Sequence, residues 1–256
     1  MRRALLGLLA AAVLGAAFLF FVAKRGPSSD PIPPPDSGEA KGQTIEHFEL
    51  EGYDDDGSAS WRLVGESAKV TTTADVFIER NVVLTMLGGA IIRSDKVFWQ
   101  NAKTRFVTSQ PVKVLHRNIE VEGRGAIGKL NQKSIQINQD VRMKIEPDGT
   151  IVTCRGPMRI LQGESRVTLY HDVRIRDTRG DLASDRMDAF FDPETKKIVS
   201  ITAAGNVRIT HDGDVSIANK AIYDTRTGSV RLEGMPEISI RDTGQLEAAQ
   251  ISSRIP

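Results

Sequence analysis

From about Thr44 onward the chain alternates apolar and polar residues in short runs. In "DVRMKI" (140–145) Val141, Met143 and Ile145 share one side of an extended strand, and Arg142 and Lys144 share the other. The reason is that successive strand side chains point to opposite faces. Val112 and Val114 stand in the same way against Lys113, Val173 and Ile175 against Arg174 and Arg176, Val207 and Ile209 against Arg208, and Val230 and Leu232 against Arg231. Ile135 and Ile137 alternate with polar neighbours in "SIQIN". No stretch beyond Thr44 holds a helical period for three turns. Turn signals break the runs: "DDDGS" (54–58), "GG" (88–89), "PDG" (147–149), "DPET" (192–195), "HDGD" (211–214) and "RTG" (226–228). The pattern predicts an all-β domain.

The runs also repeat. Val82, Val112, Val141, Val173, Val207 and Ile238 each open a unit, and the intervals between them are 30, 29, 32, 34 and 31 residues. Ten or so residues on comes a second feature ("RSDKVFW", "EGRGAIG", "TCRGPMR", "ASDRMDAF", "IANKAIYD"). A third short strand closes the unit: "RFVTS", "SIQIN", "RVTLY", "KIVSI", "SVRLE". Stacked, such units make a sheet with one aliphatic and one charged face, and the aliphatic face has to be hidden. Two closures are open: a filled sandwich, or an open trough. The outward arginines solubilise the sheet and protect its edges.

The first 25 residues break the pattern. "ALLGLLAAAVLGAAFLFFVA" (4–23) is an uncharged run of 20 residues between Arg2-Arg3 and Lys24-Arg25, long enough to cross a bilayer. A cleaved signal peptide is disfavoured, because its apolar region is usually shorter and ends in a small-x-small site. Residues 1–25 are therefore expected to be an uncleaved anchor, N-terminus in, with everything after it exported. Gly7, Ala11 and Gly15, four apart, would give this helix a smooth stripe for another membrane helix. Residues 26–42, with five prolines, read as an extended linker. Residues 43–256 read as the β-repeat domain.

Composition narrows the chemistry. Lys+Arg 34 against Asp+Glu 33 gives a net charge of +1, which offers nothing for nucleic acid. Aromatics are only 5%, so the interior is mostly Val, Ile and Leu. One cysteine, Cys154, excludes an internal disulfide and any Cys-rich metal site, and it reads as a small buried hydrophobe. No G-x-S-x-G or S-x-x-K occurs. His47, His116, His171 and His211 are scattered without metal spacing. "DDDG" (54–57) fails the calcium-loop pattern, since Ala59 and Gly65 fall where a glycine and a glutamate are needed, and it reads as a hairpin turn. Asp185 and Asp188 alternate with Met187 and Ala189 as outward groups rather than as a catalytic pair. No enzyme, metal or cofactor is expected.

The residues now quoted carry a resemblance. "LASDRMDAFFDPETKK" (182–197) with "IVSITAAGNVRITHDGDVSIANKAIYDTRTGSVRLEGMPEI" (198–238) resembles the OstA-like repeat of the LptA family. The N-terminal half, with its anchor, linker and "FELEGYDDDGSASWRLVGESAKV" (48–70), resembles the membrane-anchored LptC family, in which an aromatic follows the first turn, here Trp61. The resemblance implies two antiparallel sheets bent into a V-shaped β-jellyroll trough that carries lipopolysaccharide acyl chains inside. It also implies a single-pass inner-membrane protein with its bulk in the periplasm. Such a protein receives lipid from an inner-membrane ABC transporter complex and joins an LptA-like bridge protein by edge-strand pairing, near Ile238 and Ile251 here.

On strand parity, the acyl-chain lining is expected at Val112, Val114, Ile135, Ile137, Val141, Met143, Val173, Ile175, Val207, Ile209, Val230 and Leu232. Each buried methylene is worth ~0.8 kcal/mol, so such a stripe would remove most of the cost of carrying an acyl chain through water. The competing expectation is a filled, membrane-tethered β-repeat stalk without lipid. A carbohydrate-processing β-helix is weaker still, lacking the acid pair.

Overall fold

In four of the six units an Asn or Asp stands before the first valine, and there the strand bends. Asn81, Asp140, Asp172 and Asn206 have φ of 51°, 52°, 54° and 47° in the computed structural model of the chain. Asn and Asp enter this left-handed region more readily than other side chains, and one such residue makes a β-bulge that kinks its strand. The structure describes residues 43–239 except 55, 56, 148, 179 and 196. The expected anchor (1–25), with Gly7, Ala11 and Gly15, lies outside the described residues, as do the linker (26–42) and Ile251.

Fifteen strands follow in chain order: β1 (Gln43–Tyr53), β2 (Ala59–Val70), β3 (Val76–Met86), β4 (Ile91–Gln100), β5 (Arg105–His116), β6 (Ile119–Lys129), β7 (Ser134–Ile145) and β8 (Thr150–Cys154). After these come β9 (Met158–Leu161), β10 (Arg166–Asp177), β11 (Gly180–Phe191), β12 (Ile198–His211), β13 (Asp214–Asp224), β14 (Ser229–Glu233) and β15 (Glu237–Ser239). Each long strand pairs antiparallel with the next, in one continuous ladder from β1 to β14.

Register shifts recur at mid-strand, between Glu79 and Val82, Thr108 and Pro111, Glu122 and Arg124, Tyr170 and Val173, and Ala204 and Val207. They line up into a seam that divides the sheet into two facing leaves. One leaf holds Val82, Val112, Val141, Val173 and Val207, and the other holds the opposite half of each strand. The expected two sheets are thus two leaves of a single sheet. The three-strand unit is also redrawn: the short strand closing one unit and the run opening the next are one long strand, as "SIQIN" and "DVRMKI" are within β7. A bulge breaks the alternation without ending the ladder, so the sequence reads as two strands.

At two places the bend breaks the strand outright. β8 and β9 are separated by Arg155, Gly156 and Pro157, and both halves pair with β7 on one side and β10 on the other. β14 and β15 are separated by Gly234, Met235 and Pro236, and pair only with β13. Gly156 has φ +100°, and a Cβ there would lie 2.2 Å from the Asn138 carbonyl oxygen. Only glycine fits the break.

Candidate functional site

Parity puts the aliphatic residues of both leaves on one inner face. Val112, Val114, Val141, Met143, Val173, Ile175, Val207 and Ile209 are buried on the first leaf, and Ile135 and Ile137 on the second. Val230 and Leu232, on β14, are half-buried and pack against the same core. All twelve residues expected from alternation therefore lie on the inner face, with the last two less covered because β14 is at the sheet's edge. Their alternating neighbours Arg142, Lys144, Arg174, Arg176, Arg208 and Arg231 are exposed.

The leaves close on one another. Between them lies a cavity of about 50 Å³, lined from both sides by residues including Val114, Met143 and Ile175 on one leaf and Ile135, Val167 and Phe191 on the other. An apolar cavity of about 150 Å³ is what holds one benzene. An acyl chain therefore enters only if the leaves part. A larger, shallow groove of about 550 Å³ lies on the outside of the seam, between Asn81, Arg93, Asp95, Lys113 and Glu122. Its mixed charges suit water rather than hydrocarbon.

Alternation alone did not reveal the aromatic contacts at the β1 end. Trp61 of one leaf and Trp99 of the other meet across the interior with ring centroids 4.9 Å apart. The Trp61 ring lies over Gly52 of β1, where an added Cβ would fall 2.1 Å from it. On the outer face Phe77 and Phe98 stack at 4.4 Å, and the guanidinium groups of Arg159 and Arg186 lie 5.6 and 5.3 Å from the Tyr170 ring centroid. Asp188 lies on the outer face, as alternation expects. It is buried there, accepting hydrogen bonds from the Thr168 hydroxyl at 2.7 Å and from Arg186 at 3.0 Å, whereas Asp185 is exposed.

The outer charges pair both across neighbouring strands and within one strand. Arg62 donates to both carboxylate oxygens of Glu49, at 2.5 and 2.8 Å, and Lys113 lies 2.5 Å from Glu120 and 3.4 Å from Glu122. The Arg174 hydrogen bond, at 2.9 Å, holds the Asp172 carboxyl below its ordinary range. Exposed pairs of this kind contribute little each, and their main effect is to keep the face wet. Cys154 is buried, and burial pushes its thiol up to about 11, so it is protonated and unreactive at neutral pH. "DDDG" is a hairpin turn, with the Gly57 N–H donating to the Asp54 carbonyl at 2.9 Å. Among the described residues no three His, Cys, Asp or Glu gather to hold a metal, and no helix is long and apolar enough to cross a membrane.

Among the described residues the sheet has two edges without a further partner strand. β1 pairs only with β2, and β14 and β15 only with β13. Ile238 occupies the place in β15 that buried valines hold in the other units, yet it is 61% exposed.

Fold and inner face together define a bent antiparallel β-trough of the jellyroll kind, apolar inside and charged outside. Residues 36–146 match the family described as "Lipopolysaccharide-assembly, LptC-related", and over that stretch the chain is similar to it. The description of that family concerns lipopolysaccharide assembly. No curated protein matches the chain. The same sheet continues without interruption past residue 146 to β15.

Proposed function

We propose that this chain is an inner-membrane-anchored periplasmic carrier. It takes lipopolysaccharide from an ABC transporter and hands it to an LptA-like bridge protein. The observation that carries the reading is the inner face: one aliphatic stripe runs through every strand of the ladder and reaches the described sheet's edge at both ends. Acyl chains slide along such a stripe with little change in free energy from strand to strand. In this reading residues 1–25 anchor the chain, residues 26–42 space it from the bilayer, and the twelve inner residues from Val112 to Leu232 line the lipid path. The bridge adds a strand beside β14 and β15, where Ile238 is exposed.

A stalk without cargo is the second reading, favoured by the small cavity between the leaves. In-cell photocrosslinking separates the two, with a reactive residue at Ile175 and, separately, at Arg174. The carrier reading expects lipopolysaccharide attached from Ile175 and none from Arg174. Crosslinks to protein alone, from both positions, would leave the stalk.

A further inference from the structure

The interior is apolar almost throughout, yet it holds a buried donor with nothing to bond. Trp99 is 2% exposed, and its indole Nε1–H meets no acceptor. Its partners across the ladder are Val76 and Phe106, which offer no polar side chain. Buried tryptophan N–H groups normally find a partner, and leaving one without is costly. A phenylalanine would fill the same space without that cost. The other orphaned polar group on the inner face, the Thr150 hydroxyl, sits beside the β7–β8 hairpin in the middle of the ladder. Trp99 instead lies near the sheet's end, covered by Trp61 from the facing leaf. Trp61 is only half-buried, and beneath its ring the edge strand offers the bare backbone of Gly52. Trp61, beside β1, is thus a side chain that meets Trp99 from the facing leaf and lies next to bare backbone.

Resting on the carrier reading, we propose that Trp99 is a hydrogen-bond donor to the polar linkage of an acyl lipid at the β1 end of the interior. The acceptor it fits is an ester or amide carbonyl, or a chain hydroxyl, carried within the apolar part of the ligand. Trp61 swings off Gly52 as the lipid enters, and the Trp99 N–H then gains the acceptor that it lacks in the closed trough. Around Trp99 the inner face offers Val76 and Phe106, which recognise only hydrocarbon, so at the β1 end discrimination between an acyl and an alkyl chain falls to this one group. A site built to hydrogen-bond a ligand rejects the analogue that lacks the partner.

The chain has two tryptophans, Trp61 and Trp99, so its intrinsic fluorescence reports on this site alone. The test uses the full chain in lipid nanodiscs with two probes, monolauroylglycerol and its dodecyl ether analogue, which lacks the carbonyl. Displacement of a hydrophobic dye from the interior measures affinity. The ester should bind roughly 5- to 10-fold more tightly than the ether, the worth of one hydrogen bond to a neutral donor. Trp99→Phe should bind both probes equally. In Trp61→Phe, where Trp99 is the sole fluorophore and is untouched, the ester should red-shift the emission and the ether should not. Equal binding of both probes to the unmodified chain, or a preference that survives in Trp99→Phe, overturns the assignment while the carrier reading stands. Failure of both probes to displace the dye overturns both.

Discussion

At the scale of single residues, the seam depends on side chains that tolerate a left-handed backbone. Asn206 sits there with φ 47°, and its amide donates to Asp185 at 2.8 Å. A β-branched residue has no such tolerance, and holding one there costs about 1–2 kcal/mol. Asn206→Val should therefore lower the unfolding free energy by at least about that amount in a urea titration. Asn206→Gly should lose only the hydrogen bond. Equal losses would mean that φ at the seam is not what selects Asn. This is also the part of the fold most legible in the sequence. The recurring small polar residue before a valine was visible, and the structure supplies its meaning as the bend. Strand parity was legible for a similar reason: it is a local property, and the bulges leave Ile137 and Val141 on the same side of β7.

At the scale of elements, the break between β8 and β9 places a bare backbone against a neighbouring one. Gly156→Ala puts a Cβ 2.2 Å from the Asn138 carbonyl oxygen, where no flexible side chain can yield. Gly149 also has positive φ, at +68°, but nothing stands within 4 Å of its Cβ position. Gly156→Ala should cost more than about 2 kcal/mol in thermal or urea unfolding, and Gly149→Ala only about 1 kcal/mol of backbone strain. Similar costs at the two positions would show that the junction relaxes easily. The sequence motif "CRGPM" was read as one feature among several in a unit. That it splits one strand into two depends on both β7 and β10 pairing with the pieces, and pairing between distant segments leaves no local signature.

At the scale of the whole molecule, the outer face carries carboxylates held by cations and backbone N–H groups, some across strands and some within one strand or turn. Glu79 is held below its ordinary 4.5 by the hydrogen bond from Lys96, and Glu120 by that from Lys113. Asp172 lies below its ordinary 3.8 through Arg174, and Asp224 through the backbone N–H groups of Arg226 and Thr227. Carboxylates with lowered folded values stabilise the fold above the unfolded values and lose that contribution as pH falls through the folded ones. The melting temperature should hold steady from neutral pH down to about 5 and decline below about 4.5. Salt should blunt the low-pH loss, because these pairs are exposed. A flat profile down to pH 3 would show that these outer groups add nothing to stability.

The amino-acid order alone determined which residues face inward, where the strands bend and that the interior is aliphatic. All of these follow from a two-residue period and from which side chains accept positive φ, and both act within a few residues. Only the tertiary structure decided how far the two leaves close, that Trp61 reaches Trp99 across them, and that Ile238 is left exposed at an edge. Those outcomes depend on the summed bend of many bulges and on contacts between residues far apart in the chain. Periodicity carries no information about either.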